Sequence, residues 1–148
     1  MIMTALTRQD VLNILQGDWA TYVQRFRCLS PEAQSTLLAE QGYGRFADLL
    51  SHIIAWWEIG YHTIEGYLTD SQFQPREYDV DAFNAEAVAK ARGFDDDNVI
   101  ESFEKMRSFL FEYVKALPDN AFENEKVVNQ FNMELVGHLS EHDIPERE

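Results

Sequence analysis

The chain has 148 residues, of which 45% are hydrophobic and 13% aromatic, which excludes disorder and is sufficient for a buried core. Its 12 Lys and Arg residues and 26 Asp and Glu residues give a formal net charge of −14. Because so acidic a surface repels phosphate backbones and anionic lipid headgroups, we expect binding to neither nucleic acid nor membranes.

The first long helix is predicted over residues 7–26, which read TRQDVLNILQGDWATYVQRF. Thr7 is a suitable N-cap, and Asp10 three residues later completes a capping-box pattern. The residues before this helix show no basic region followed by an apolar run, so no signal peptide is expected. One face of the helix is apolar. It comprises Val11, Leu12, Leu15, Trp19, Tyr22, Val23 and Phe26.

The only cysteine, Cys28, follows this helix and excludes an intramolecular disulfide. A single cysteine favours a reducing compartment, and we predict a cytoplasmic location. Cys28 is expected to be a small buried residue at the helix end, because nothing nearby lowers the pKa of its thiol. Ser30 and Pro31 then begin a short helical piece, which ends at the sequence EQGYG.

The second long helix is predicted over residues 45–68. Gly60 lies on its packed face, where a missing side chain permits the close approach of a neighbour. His62 falls on the opposite face and is expected in solvent. His52 falls at the edge of the apolar stripe, where it either points into a groove between two helices or bonds a carbonyl. The stripe consists of Phe46, Leu49, Leu50, Ile53, Trp57, Gly60, Tyr61 and Ile64.

Two helices follow a polar loop. The first is short, with Asp81 as its predicted N-cap and Gly93 as its stop. The second is predicted over residues 95–118, with acidic residues at its start that complement the helix dipole and Pro118 at its end. The apolar positions of this third long helix alternate in steps of four and three, which is the seam spacing of a bundle.

The last predicted helix covers residues 127–144 and carries two of the four histidines. Its apolar stripe is formed by Val128, Phe131 and Leu135. The same rhythm continues to His138 and His142, so both imidazoles are predicted to project toward the other helices. Residues at i and i+4 lie one above the other on a helix, close enough for two imidazoles to hold one ion.

This histidine pair has two interpretations. Two neutral imidazoles suit Zn²⁺, Ni²⁺ or Fe²⁺, but a stable site needs a further ligand from elsewhere in the chain. Alternatively, the pair is a chance feature of a helix end, where cationic side chains are favoured by the dipole. On spacing alone His52 is as consistent with a third ligand as with a boundary histidine.

The pattern as a whole shows no strand-like alternation and no apolar run of membrane-spanning length. Four amphipathic helices with short accessory pieces predict an all-α four-helix bundle, formed by a single domain over residues 1–148.

Several motifs together resemble the DinB-like family of metal-binding four-helix bundles. The segment LLSHIIAWWE is similar to the family's second-helix signature, and His138 with His142 is similar to its last-helix His-x-x-x-His pattern. The segments DVDAFNAEAVAKAR and KALPDNAF resemble the subgroup of colibactin self-resistance (ClbS/DfsB-like) proteins. The similarity spans nearly the whole chain, in matching order.

The resemblance implies a three-histidine site formed by His52, His138 and His142 at one end of the bundle. It implies a divalent ion, with nickel or zinc expected first and iron as a further candidate. Members of the family include transferases that use low-molecular-weight thiols such as bacillithiol, mycothiol or glutathione. A metal-dependent thiol transferase or hydrolase acting on a small electrophile is therefore expected.

Two departures from the family pattern concern the last residues. Pro145 ends the last helix soon after the histidines, where many relatives continue, so the ion is expected to be more exposed or less tightly held. Some relatives place another histidine where this chain has Glu146, so His142 and Glu146 remain an alternative ligand pair.

Other polar and aromatic residues near these motifs have more ordinary interpretations. Glu134 lies one turn before His138 and is expected to be an exposed helix glutamate, with a proton-accepting role beside the ion as the alternative. Trp56 is expected in the core, with a pocket wall as the alternative. Glu58 and Glu65 are expected in solvent.

Two functions compete with the enzyme. One is a non-catalytic protein that sequesters a small molecule as a resistance or stress factor. The other is a vestigial site in a bundle that serves mainly as a homodimer.

Overall fold

A computed structural model describes residues 6–144, and the regular structure in this part of the chain is entirely helical, which confirms the all-α prediction. The helices are α1 (Arg8–Gln16), α2 (Tyr22–Arg27), α3 (Pro31–Gln41), α4 (Phe46–Thr69), α5 (Val80–Lys90), α6 (Asp96–Ala116), α7 (Glu125–Phe131) and α8 (His138–Glu141). Short 3₁₀ turns follow α5 and α6, at Ala91–Gly93 and Asp119–Glu123. A π segment, Asn132–Gly137, joins α7 to α8.

The longest helix, α4, forms the centre of the packing. It contacts α5, α6 and α7, while α1 packs on α6 and on the π segment. The predicted stripe of α4 is buried apart from the half-buried Tyr61. Burial of these apolar faces is the main force that holds short helices such as α1 and α7 in place. This packing brings the middle of α4 against the end of the last helical segment.

Helix starts follow the side chains that the sequence supplies. At α1, the Thr7 hydroxyl accepts a bond from the Asp10 amide at 3.1 Å, and the Asp10 carboxylate accepts one from the Thr7 amide at 2.9 Å. This reciprocal pair confirms the predicted capping box. The Ser30 hydroxyl likewise caps α3 by accepting a bond from the Ala33 amide at 3.1 Å.

The prediction of one helix over residues 7–26 is wrong, because the chain breaks between α1 and α2. Gly17 ends α1, and its amide donates to the Asn13 carbonyl at 2.8 Å. A Cβ at position 17 would lie 2.8 Å from that same carbonyl oxygen, so the close turn requires glycine. The predicted apolar face on both sides of the break, including Trp19, is nevertheless buried apart from the half-buried Leu12.

Two smaller predictions also fail. Asp79 rather than Asp81 caps α5, since its carboxylate accepts a bond from the Ala82 amide at 3.2 Å. Asp81 lies in the first turn, where its charge complements the helix dipole. Cys28 is exposed instead of buried, because it ends α2 with its sulfur toward solvent and near the Gln24 amide.

Within residues 6–144, none of the helices combines the length and the apolarity needed to cross a lipid bilayer.

Candidate metal centre

Three histidines meet where α4 packs against the end of the last helical segment. His52 lies on α4, His138 begins α8, and His142 directly follows α8. One ring nitrogen from each lies within 4.8 Å of the corresponding nitrogens of the other two, and all three side chains are buried. We call these three residues the histidine cluster. The fourth histidine, His62, is exposed, as predicted.

The hydrogen-bond partners of the last two histidines indicate which ring nitrogen carries the proton. His138 Nδ1 lies 2.9 Å from the backbone carbonyl oxygen of Glu134, and His142 Nδ1 lies 2.5 Å from Oε1 of Gln41. Carbonyl oxygens only accept, so in each pair Nδ1 is the donor. The neutral ring then has a free lone pair on Nε2.

The third histidine is oriented through two other side chains. Asn84 Oδ1 lies 2.9 Å from His52 Nδ1 and 2.6 Å from Nε1 of Trp56. An indole N–H only donates, so the shared atom of Asn84 must be its oxygen. His52 Nδ1 must therefore donate as well, which leaves the lone pair of His52 on Nε2.

The lone pairs of the cluster face one another. Nε2 of His52 lies 3.2 Å from Nε2 of His142, and neither atom carries a proton in the tautomers described above. Burial lowers the pKa of both imidazoles to about 4, so a proton does not bridge them at neutral pH. Two nitrogens that bind one zinc ion at ~2.1 Å are about 3.0–3.4 Å apart for bond angles between right and tetrahedral. The His52–His142 pair therefore has the donor type and the spacing of two ligands of one divalent cation, and a nitrogen of His138 lies within 4.8 Å of both.

Glu134 is buried beside this cluster, so the prediction of an exposed glutamate is wrong. Its Oε1 lies 3.5 Å from His138 Nδ1, and its Oε2 accepts a bond from Gln130 at 2.7 Å. Burial raises the pKa of this carboxyl to about 7, against the opposite effect of the Gln130 bond. Gly60 makes the room, because a Cβ there would lie 2.6 Å from Cγ of Glu134. The predicted close approach at Gly60 is thus confirmed, with Glu134 as the neighbour.

The π segment presents backbone carbonyls to two buried tryptophans. The indole of Trp57 donates to the Glu134 carbonyl at 2.9 Å, and that of Trp19 donates to the Leu135 carbonyl at 3.0 Å. A π turn departs from the regular α-helical bond pattern and is frequent at functional sites. These bonds fix the backbone immediately before His138.

The backbone after α8 is held by side chains of α2. The Tyr22 hydroxyl donates to the carbonyl of His142 at 2.8 Å, and the Arg25 guanidinium donates to the carbonyl of Ile144 at 3.1 Å. Arg25 also lies 3.8 Å from the carboxylate of Asp143. His142 lies outside regular helix, and these contacts supply the anchoring that a helix would otherwise give. The predictions for Pro145 and Glu146 lie outside the described residues.

A cavity beside the cluster gives access to it. Its volume is about 650 Å³, and His52, His138 and Glu134 are among the residues that line it. Trp56 is half-buried and lines this cavity, so it is a wall residue and the prediction of core packing is wrong. Elsewhere on α4, Glu58 is exposed as expected, whereas the half-buried Glu65 accepts a hydrogen bond from the Tyr113 hydroxyl.

The two amide side chains at the cluster were missed by sequence reasoning. Gln41 is the last residue of α3, and Asn84 lies in the middle of the short helix α5. Neither falls on an apolar stripe or in a ligand-spaced motif. Their roles depend on how α3 and α5 pack against α4, which periodicity within one helix does not determine.

Comparisons with protein-family models, with curated proteins and with solved structures gave no match to this chain. The DinB-like assignment stays a prediction that rests on the motifs in the sequence.

Proposed function

We propose that this protein binds a divalent metal ion through Nε2 of His52, His138 and His142. One observation carries the proposal: three buried imidazoles each place a ring nitrogen within 4.8 Å of those of the other two, while each Nδ1 donates to an oxygen acceptor. Outer hydrogen bonds of this type orient metal-binding histidines and raise their basicity. Zinc and nickel suit three neutral imidazoles best, with Fe²⁺ as a further candidate.

We further propose that the ion serves a thiol transfer or a hydrolysis on a small electrophile, in a DinB-like four-helix bundle. A cation held in this way acts as a Lewis acid that lowers the pKa of a thiol or of water and polarises an electrophile. The proposal is supported by the cavity that reaches His52 and His138. Glu134 contributes a buried carboxylate beside His138, whose Oε1 can accept the proton that the attacking thiol or water releases.

Metal content tests the site directly. Protein purified without a histidine tag and dialysed against zinc is expected to hold about one ion per chain by elemental analysis. His138→Ala should lose it, because two imidazoles remain. His62→Ala is the matched control, since it removes an exposed histidine of the same ion-binding chemistry outside the cluster. Full occupancy in His138→Ala would show that this ligand set is wrong.

Turnover tests the reaction. Model electrophiles, such as an epoxide and an aryl halide, are incubated with the zinc- or nickel-loaded protein and with glutathione, bacillithiol, mycothiol or no thiol. We expect thiol-dependent or water-dependent product formation that disappears in His138→Ala and persists in His62→Ala. Saturable binding of the electrophile without turnover under any of these conditions would instead favour the sequestering function.

A further inference from the structure

The cavity beside the histidine cluster has the size of a small-molecule site. Its volume of about 650 Å³ falls in the range of roughly 300–1,000 Å³ that is usual for such sites. It is bounded by α4, by α5 with the loop that precedes it, and by α7 with the π segment and α8. His52 and His138 of the cluster line the cavity, so a ligand that fills it reaches the ion site.

One wall of the cavity is aromatic. The rings of Trp56 and Tyr78 meet edge to face at 5.7 Å between centroids, and Phe83 lies behind both at 4.4 and 5.3 Å. Met133 and Val80 also line the cavity, with 61% and 54% of their surfaces exposed. They are two of the three most exposed large apolar side chains among residues 6–144. Apolar surface left in water beside an aromatic wall favours a ligand with an apolar body.

Among the described residues, one arginine and no lysine lines this cavity. Arg76 lies with its guanidinium carbon 5.4 Å from the centroid of the Tyr78 ring and is exposed. Within the described part of the chain it forms no ion pair, although the protein carries a net charge of −14. Five other arginines do pair with carboxylates, and they are Arg8, Arg25, Arg27, Arg45 and Arg107. An unpaired guanidinium at a cavity wall is suited to an external carboxylate, which it can bind through two parallel N–H bonds.

Two acidic residues of the cavity lie beside the histidine cluster. Glu134 Oε1 lies 3.5 Å from His138 Nδ1, and Glu141 Oε2 lies 3.9 Å from His142 Nε2. Both glutamates line the cavity. A ligand carboxylate is therefore repelled by the glutamates beside the cluster and attracted by the Arg76 guanidinium. These two interactions determine which end of the ligand faces the cluster.

We propose that the cavity binds an organic carboxylate with an aromatic or apolar body. The body packs against Trp56 and Tyr78, the carboxylate pairs with Arg76, and the other end of the molecule points to the histidine cluster. The inference rests on the proposed function, since it names the substrate class of the same site. Pairing with Arg76 does not require the ion, however, so binding can be measured with and without metal.

The test uses isothermal titration of 2-naphthoate and of its neutral analogue 2-naphthylmethanol into zinc-loaded and chelator-treated protein. We expect both compounds to bind, and naphthoate to bind more tightly. Arg76→Ala should weaken naphthoate binding about tenfold by removing a charge-assisted pair, and should leave the alcohol unaffected. Arg92→Ala is the matched control, because Arg92 is also exposed and outside the ion pairs of residues 6–144, but does not line the cavity. Tyr78→Ala should weaken the binding of both compounds, because it removes part of the aromatic wall.

Unchanged naphthoate affinity in Arg76→Ala, or naphthoate binding that requires zinc and disappears in His138→Ala, would overturn the inference. The second result would mean that the carboxylate binds the ion. Failure of this inference can be distinguished from failure of the proposed function. Arg76-dependent binding in protein that takes up no zinc on dialysis would support this inference and refute the metal site, whereas bound metal without naphthoate binding would do the reverse.

Discussion

Two buried regions of this protein meet at the π segment, and burial has opposite energetic effects on their side chains. The first, which we call the aromatic core, is formed by Trp19, Tyr22, Trp57 and Phe103. Its rings lie 4.9–6.3 Å apart in tilted and edge-to-face pairs and gain stability from leaving water. The second is the histidine cluster, where burial opposes charge and every ring is oriented by a hydrogen bond.

The two regions are similarly buried, but burial stabilises the rings of the first and lowers the pKa values of the imidazoles in the second. Phe103 contributes packing alone to the aromatic core, whereas the polar groups of its other three rings also donate to buried backbone carbonyls. The histidine cluster places two lone pairs 3.2 Å apart, an arrangement that is unfavourable without a cation between them. Strained or costly arrangements of this kind persist where function requires them. Changes to the core are therefore expected to affect stability, and changes to the cluster to affect metal binding and pH dependence.

The largest loss of stability is expected for Phe103→Ala, which disrupts the packing of the aromatic core and leaves the histidine cluster unchanged. Phe103 is fully buried against Trp19, Tyr22 and Trp57, so truncation should cost about 3–5 kcal/mol of unfolding free energy in urea. Metal content per folded chain should not change. Phe109→Ala is the matched control on the same helix, because Phe109 is 46% exposed. If both variants lose the same stability, Phe103 does not form part of a tightly packed core.

A pH series perturbs the cluster and leaves the core untouched. In chelator-treated protein, burial lowers the pKa of His52 and His142 to about 4 and lowers that of His138 as well. Below pH 6.5 the imidazoles of the unfolded chain bind protons, whereas those of the folded chain stay neutral until the pH approaches 4. Stability should therefore fall as the pH decreases from about 6.5 to about 4, by up to ~1.4 kcal/mol per pH unit for each histidine.

Glu134 works in the opposite direction in this series. Its folded pKa of about 7 lies above the ordinary value of 4.5, so the folded state gains relative stability as the pH falls from about 7 to 4.5. Three histidines outweigh one carboxyl, and the net change should be a loss, measured by urea unfolding at each pH. His52→Leu should flatten the dependence by about one proton. A wild-type stability that stays level or rises toward pH 4.5 would contradict this account.

The smallest change is expected for Asn84→Ala, which removes the hydrogen bond that orients the His52 ring and leaves the aromatic core intact. Without the Asn84 oxygen, His52 can adopt the tautomer that places the proton on Nε2. Zinc affinity should fall about 10–100-fold, measured by competition with a chromophoric chelator. Nitrogen NMR of His52 in the metal-free protein should show the mixed tautomers. The exposed Asn129→Ala serves as control, and equal affinities of the two variants would refute the role of Asn84.

Local signals in the sequence predicted much of the fold. Thr7 with Asp10, and Ser30 before Pro31, begin helices where capping chemistry places them. The break at Gly17 was missed because the apolar spacing of α1 and α2 remains in phase across it. The position of Asp79 was missed because Asp79 and Asp81 are both good caps, and the choice between them depends on the loop that leads into α5.

Helix periodicity predicted only those residues of the candidate site that continue the apolar stripe of their own helix. His138 and His142 continue the stripe of Phe131 and Leu135, and that signal survives the π segment. The burial of Glu134 was missed because it depends on the groove at Gly60, which belongs to another helix. Such contacts between helices have no counterpart in the spacing of residues along one helix.

The hydrogen bonds of the tryptophans have an optical consequence. The chain has three tryptophans, and each donates its indole N–H to a group in or next to the metal-site framework. Trp56 shares the Asn84 oxygen with His52, and Trp57 shares the Glu134 carbonyl with His138. Indole emission is sensitive to the polarity and rigidity of its hydrogen-bond partner. The intrinsic fluorescence of this protein should therefore act as an unlabelled reporter of ion loading, read in real time during a titration.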